Sequence, residues 1–295
     1  MNKSYVIIMP VRNEAKFLAG TVNSIASQTI KPAQLIIVDD GSTDDTGKIA
    51  EECAANYDWI EVLHRADRGF RSPGGGVIET FFDGFQRITA KDWGFVVKLD
   101  GDLSFDPDYF ERCLARFEKD PKLGIGGGTI CNMVNGTLVV EAPGDPVFHV
   151  RGATKIYKRE CWDGIGGLIR QPGWDTVDEY HANMLGYTTY TFPELKLCHH
   201  RPAGGAQGTW KNWVKNGLAN YVAGYHPLFM LCKCAKRALA KPYAVGAMGL
   251  LTGFFKGYVK GVPQVNNRDL IRFVRQQQMR KLFMRESLWD RKPAI

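Results

Sequence analysis

Four short, almost wholly apolar runs separated by helix-patterned stretches constrain this chain more than any other feature of it. The runs are Tyr5–Met9, Leu35–Val38, Ile60–Leu63 and Phe95–Leu99. Between the first two, residues 14–29 place Phe17, Leu18, Val22, Ile25 and Ala26 at helical spacing. Thr43–Asn56 reads as a second helix, with Asp44 and Asp45 at its start, where the backbone dipole favours acids, and Val77–Ile88 as a third. Buried strands that alternate with helices need crossover connections, which predicts an α/β fold with a mostly parallel central sheet flanked by helices. In such sheets ligands gather beyond the carboxyl ends of the strands. Three polar clusters fall there: Arg12-Asn13-Glu14, Asp39-Asp40 and Asp100-Gly101-Asp102.

Past about residue 120 the pattern loosens. The glycine clusters at 124–128 and 164–167 predict loops, Val147–Tyr157 a strand pair, Trp174–Leu185 a helix and Thr188–Phe192 a strand. There is no internal repeat and no low-complexity linker. The 295 residues suffice for one large α/β domain and an appendage. The strand-like run starts at once after Met1-Asn2-Lys3-Ser4, without a signal-peptide pattern. Seven scattered cysteines, with Cys232 and Cys234 too close for a usual zinc pair, point to reduced thiols in a cytosolic protein.

Asp100-Gly101-Asp102 carries the clearest chemistry. Two carboxylates at the end of a buried strand are costly to crowd unless a cation lies between them. Oxygen ligands of this kind suit Mg²⁺ or Mn²⁺, ions that usually also hold substrate phosphates. The pair therefore points to a metal carrying a nucleotide diphosphate, although Asp and Gly also favour plain turns at strand ends.

Taken with this turn, Ile8-Met9-Pro10-Val11-Arg12-Asn13-Glu14 and Ile36-Ile37-Val38-Asp39-Asp40-Gly41-Ser42-Thr43-Asp44 resemble the motifs of family 2 glycosyltransferases, in that family's order and spacing. The resemblance covers roughly residues 4–200 and implies the GT-A fold, which binds nucleotide-diphosphate sugars. It implies that Pro10, Arg12, Asn13 and Glu14 lie beneath base and ribose. Asp39 or Asp40 would accept a hydrogen bond from the base, one of them serving instead as a helix cap. By the same analogy Asp100, with Gly101, faces the ribose or a metal-bound water, and Asp102 ligates the metal.

The stretch from His64 to Gly76 departs from the family's wording, with three arginines and a Gly triplet. Arg68 or Arg71 could grip the diphosphate there, or the loop is simply solvated. The family places an acidic pair at a helix start with a glycine eleven residues later, and Gly186 fits if Asp175 is that acid. Trp174 then stands where a Glu is usual, so Asp175 is the first candidate for general base and Asp178 and Glu179 are reserves. Some GT-A enzymes add a histidine to the metal, which singles out His199 and His200. Adjacent strand residues face opposite ways, so only one of the two could serve.

The charge is asymmetric. Residues 201–295 carry 17 Lys and Arg against Asp269, Glu286 and Asp290, a net +14 within a chain whose total is +7. Residues 210–225 set Trp210, Trp213, Leu218, Tyr221 and Tyr225 on one helical face, Pro242–Phe255 is uncharged, and Arg268–Arg285 mixes apolar and basic residues. Helices of this composition lie in a membrane interface or pack on the catalytic domain with their lysines solvated. The expected division is a catalytic domain over 1–205 and a basic, aromatic-rich helical extension over 206–295.

The resemblance implies an inverting glycosyltransferase that uses Mn²⁺ or Mg²⁺ and a nucleotide-diphosphate sugar, UDP-linked rather than GDP-linked by the family's habit. Its acceptor would be a saccharide or lipid-linked hydroxyl of cell-surface polysaccharide synthesis. The expected location is the cytoplasm, with an anionic inner membrane face as a partner. A polyprenyl-phosphate glycosyltransferase, which needs no general base, is the alternative. A nucleic-acid-binding module is the distant one: no nucleic-acid motif accompanies the charge, and no such partner is expected.

Overall fold

A computed structural model describes residues 1–67, 75–201, 209–240 and 243–291. Its first half follows the alternation read above: β1 (Tyr5–Val11), α1 (Leu18–Ala26), β2 (Gln34–Asp39), α2 (Thr46–Asn56), β3 (Ile60–His64), α3 (Gly75–Phe85) and β4 (Phe95–Leu99). Side chains alternate across β1. Tyr5, Ile7 and Met9 pack on Leu18, Val22 and Ile25 of α1, while Val6 and Ile8 pack on Ile78 and Phe81 of α3. Both faces of these strands are covered, which is why they read as continuous apolar runs rather than as alternating ones.

The second half comprises β5 (Leu103–Phe105), α4 (Tyr109–Lys119), β6 (Leu123–Val134), β7 (Thr137–Val140), β8 (Thr154–Lys158), α5 (Arg159–Ile165), α6 (Trp174–Met184) and β9 (Thr188–His199). The described strands form a single sheet in the order β3-β2-β1-β4-β8-β6-β9-β5, with β7 paired to β6. β3, β2, β1 and β4 run parallel, β8 is antiparallel to both its neighbours, and β6 and β9 are parallel to each other. The chain builds β1, β2 and β3 outward and then crosses back to lay β4 on the other side of β1. That reversal opens a crevice beyond the carboxyl ends of β1 and β4.

Two expectations fail here for physical reasons. Residues 124–128 are not a loop but the start of β6, deep in the sheet. A Cβ at Gly127 would lie 2.5 Å from the Thr154 carbonyl oxygen, and one at Gly128 would lie 2.4 Å from that of Leu195. These glycines admit close backbone approach, a use of glycine that turn statistics miss. Nor do residues 147–157 form a strand pair. Only Thr154–Lys158 is a strand, because the Val150 N–H is taken by the Glu179 carboxylate at 2.7 Å.

Residues beyond 208 form α7 (Thr209–Val222), α8 (Pro227–Ala238), α9 (Val245–Val259) and α10 (Arg268–Leu282). Their apolar interior, with Tyr221, Met230, Leu250, Phe254, Leu270 and Val274, is continuous with Val177 and Tyr180 of α6. No described helix is long and apolar enough to cross a membrane.

Candidate active site

The loops after β1, β2 and β3 are locked together by short polar contacts. Asn13, at φ 55°, accepts from the Thr43 N–H at 2.9 Å, and its own N–H donates to Ser42 Oγ at 3.0 Å. Arg12 donates to the Asp40 carbonyl at 2.5 Å and pairs with Asp67 at 2.7 Å. Asp40 pairs with Arg65 at 2.5 Å, and Arg65 reaches Asp83 at 2.7 Å. Asp39 is the acid that closes the turn, accepting from the Ser42 N–H at 2.9 Å, while its other oxygen faces His64 Nδ1 at 3.1 Å. Hydrogen bonds to Glu51 and then Asp39 raise the His64 pKa above its ordinary value. Pro10 lies inside β1, in register with Val38. Arg68 and Arg71 fall outside the described residues.

At the end of β4 the acidic turn meets partners from distant parts of the chain. Lys98, buried within the strand, pairs with Asp100. Withdrawal from water raises the Asp100 pKa and Asp102 adds to this, while Lys98 pulls the other way. Gly101 packs against Val11, and its carbonyl accepts from Thr21 Oγ1 at 2.9 Å. The antiparallel pairing of Leu103 with His199 brings the end of β9 beside buried Asp102. His199 Nε2 lies 3.4 Å from Asp102 Oδ1, Arg201 Nε lies 3.4 Å from Asp102 Oδ2, and Arg201 also pairs with Glu14. On the far side of the imidazole, Glu141 Oε1 stands 3.5 Å from Nδ1 and is in turn held by Arg151. Burial opposes a charge on His199, but Asp102 and Glu141 more than offset it and raise its pKa to about 10. His200 points the other way, to Ser104 Oγ at 2.9 Å and onto the Phe17 ring.

Among the described residues His199 Nδ1 and Glu14 Oε2 are buried polar atoms without a hydrogen bond. The Asp102–His199 separation is also long for a hydrogen bond. A buried carboxylate and an imidazole nitrogen are ligand types that a divalent ion of the first transition row accepts. No group of three or more His, Cys, Asp or Glu among the described residues is set to hold a metal unaided. An ion here would thus complete its coordination with oxygens from elsewhere, as Mg²⁺-type ions do with phosphates.

The three acids of α6 separate into two kinds. Asp178 and Glu179 are buried and fully engaged: Lys155 Nζ pairs with each at 2.8 Å, Tyr157 donates to Asp178 at 2.6 Å, and His149 meets Glu179 at 2.9 Å. Burial disfavours the Lys155 charge, yet Asp178 and Glu179 raise its pKa. Asp175 is half-buried, and among the described residues its carboxylate makes no hydrogen bond. Only its backbone carbonyl is used, accepting from Lys155 at 2.6 Å. The Trp174 ring faces two cross-strand partners of β4 and β8, with Lys98 Nζ and Lys155 Nζ each 5.6 Å from it.

His149 gives the cluster a pH dependence. Burial lowers its pKa, but Glu179 outweighs that and leaves it above 6.5. Its folded-state pKa thus exceeds the unfolded one, so its contribution to stability is complete below about pH 6.5 and is lost as pH rises through the folded value. We expect denaturant midpoints of wild type and His149→Gln to differ most below pH 6.5 and to converge at higher pH. A difference independent of pH would contradict this.

The sequence profile of Glycosyl transferase family 2 matches residues 6–168, which include the loops after β1, β2 and β4 just described. The chain belongs to glycosyl transferase family 2. It is 32% identical over 216 residues to chondroitin synthase from Escherichia coli, a match spanning 68% of this chain and 29% of that protein. It is 38% identical over 256 residues to 4,4'-diaponeurosporenoate glycosyltransferase from Staphylococcus aureus, spanning 78% of this chain and 64% of that one. The chain therefore spans less than two thirds of either relative. Among solved structures, a mannosyltransferase from Pyrobaculum calidifontis in complex with GDP-Man and Mn²⁺ superposes with a TM-score of 0.54 at 17% identity, covering 96% of this chain and 81% of that one. This likeness establishes the GT-A type of sheet for the family 2 chain.

Four residues of this family 2 site were not singled out in the sequence as site residues. Lys98 had a local signal, a charge inside an apolar run. Lys155 had one too, in Thr154-Lys155-Ile156-Tyr157, but no acid nearby in sequence to pair with. Glu141 and Arg201 had none, because only strand pairing brings Glu141 to His199 and Arg201 to Asp102.

Proposed function

We propose that this enzyme transfers a sugar from a nucleoside-diphosphate sugar to a hydroxyl acceptor in a single inverting displacement. The observation that carries this reading is the half-buried Asp175 carboxylate, which makes no hydrogen bond among the described residues and whose neighbour Trp174 faces Lys98, the partner of Asp100. The locked loops of Arg12, Asn13, Glu14, Asp39 and Asp40 hold the base and ribose, with a carboxylate of this set accepting from the base N–H groups. Asp102 and His199 are the residues that would hold a Mn²⁺ or Mg²⁺ ion, with Asp100 beside them. The Mn²⁺ and GDP-Man named for the Pyrobaculum structure support this assignment. Such an ion supplies charge stabilisation to the departing diphosphate. Asp175 takes the proton of the acceptor hydroxyl as its oxygen bonds to the anomeric carbon and the bond from that carbon to the diphosphate breaks. Asp178 and Glu179 hold Lys155, which fixes the first turn of α6 through the Asp175 carbonyl. Trp174, flanked by Lys98 and Lys155, sets the spacing of base and acidic turn. His200, directed to Phe17 and Ser104, lines the outer rim instead.

The experiment is a thermal-shift panel of UDP, GDP and other nucleoside diphosphates with and without Mn²⁺. A ligand at about a hundred times its Kd stabilises the native state by about 2.7 kcal/mol. For a chain of 295 residues that corresponds to a rise in Tm of roughly 4 °C. We expect a rise with one nucleotide and only with metal present. A flat response to every nucleotide overturns the proposal.

A further inference from the structure

The chain has no Asp or Glu between Glu194 and Asp269, against eleven Lys or Arg. Within that acid-free stretch, two successive helices turn apolar faces to solvent. On α8 the exposed positions Leu228, Leu231, Cys232, Ala235 and Leu239 recur at spacings of three and four, and Leu239, just past the helix end, is 82% exposed. The buried side of α8 carries Met230 and Cys234. On α9, Val245, Met248, Phe255 and Val259 are exposed along one side, and Val259 is 87% exposed. The opposite side of α9 is glycine-lined and pressed onto α7: a Cβ at Gly253 would meet the Val214 carbonyl at 1.9 Å, and one at Gly217 would meet that of Leu250 at 2.1 Å. A water-facing helix normally turns polar residues outward and large apolar ones inward. Here α9 buries Leu250 and Phe254 among its glycines and also turns large apolar side chains outward. Exposed lysines, Lys236 on α8 and Lys256 and Lys260 at the end of α9, border these stripes, while Lys233 turns its ammonium inward to Asn220 Oδ1 at 3.3 Å and the Tyr225 ring.

We propose that the outward faces of α8 and α9 are a docking surface for a bilayer that carries anionic headgroups. The apolar stripes would enter the acyl boundary while the bordering lysines meet the headgroups, which is how interfacial helices bind. At 15 residues α9 is about 22 Å long, shorter than the roughly 30 Å hydrocarbon core, so it lies in the surface rather than crossing it. Charge decides between this occupant and a second copy of the chain. A self-pairing face would set the same lysines against themselves with no acid to neutralise them, whereas an anionic surface complements every one.

The test is sedimentation of the full chain with vesicles of phosphatidylcholine alone or mixed with phosphatidylglycerol. We expect binding to the mixed vesicles, at least tenfold weaker binding to the neutral ones, and weakening of the anionic interaction in 0.5 M salt. Leu231→Glu with Phe255→Glu should lower partitioning about a hundredfold, and Lys236→Glu with Lys260→Glu should abolish the preference for anionic lipid. Leu185→Glu, an exposed apolar position at the end of α6, should change nothing. Each variant should keep the wild-type Tm, since every altered side chain is exposed. Equal partitioning of the Leu231/Phe255 variant and wild type overturns the proposal. So does a concentration-dependent dimer that those substitutions dissolve while wild type ignores vesicles. Vesicle binding is read without any sugar donor, so this surface and the transfer reaction stand or fall separately.

Discussion

Asp102→Asn lowers the rate of nucleoside diphosphate release from a sugar donor by about a thousandfold, some 4 kcal/mol of transition-state stabilisation. The expectation follows from where Asp102 sits. Its carboxylate is buried at the end of β4, with His199 and Arg201 each 3.4 Å away on separate oxygens. Asparagine keeps the shape but removes the negative charge, so a cation would lose its anionic ligand while His199 and Arg201 lose theirs. Two readouts separate chemistry from folding. The metal-dependent rise in Tm with nucleotide should vanish, whereas the stability of the free variant should fall only by the loss of the charge partner of His199 and Arg201, about 1–3 kcal/mol. A variant that keeps the metal-dependent shift and the rate removes Asp102 from the metal site.

Asp175→Asn has a different signature. Because its carboxylate makes no hydrogen bond to any described residue, the substitution should alter stability by no more than about 0.5 kcal/mol. Nucleotide binding should also persist, since Asp175 acts on the acceptor. The rate of transfer to a hydroxyl acceptor should fall 10²- to 10⁴-fold, the usual worth of a positioned general base. This combination of an unchanged Tm, an unchanged nucleotide shift and lost transfer is specific to a proton acceptor. A full rate in Asp175→Asn with a lost rate in Asp102→Asn would reassign the acceptor to a group already ionised, such as a polyprenyl phosphate, for which no base is required.

The parts of this molecule that could be read from sequence are those held together by neighbours in sequence. The runs at β1, β2, β3 and β4 were legible because strands buried on both faces leave an unbroken apolar trace. The acidic turn could be placed at the end of a strand because the apolar run of β4 leads straight into it, although Asp and Gly also favour plain turns there. The glycines of β6 were misread because glycine marks either a turn or a tight approach, and only the Thr154 and Leu195 carbonyls decide which. The distinct roles available to Asp175 and its neighbours were hidden for a related reason. Only the spacing to Gly186 ranks Asp175 ahead of Asp178 and Glu179 in the sequence, whereas Lys155, Tyr157 and His149 arrive from other segments and engage only the carboxylates of the last two. The helix α8 escaped notice because its exposed face is apolar, so the polar-outward pattern that announces a surface helix is absent.

The link between Asp102, His199 and Arg201 has a consequence for how this enzyme comes into being. On a ribosome adding about 5–20 residues per second, Asp102 is made roughly five to twenty seconds before His199. Until β9 docks, the first half of the sheet can form and shield its apolar surface, but its acidic turn lacks the imidazole and guanidinium that flank it in the finished fold. Synthesis itself therefore orders the assembly of this cluster: in any chain that ends before residue 199 the Asp102 carboxylate lacks both the imidazole and the guanidinium that flank it in the finished fold.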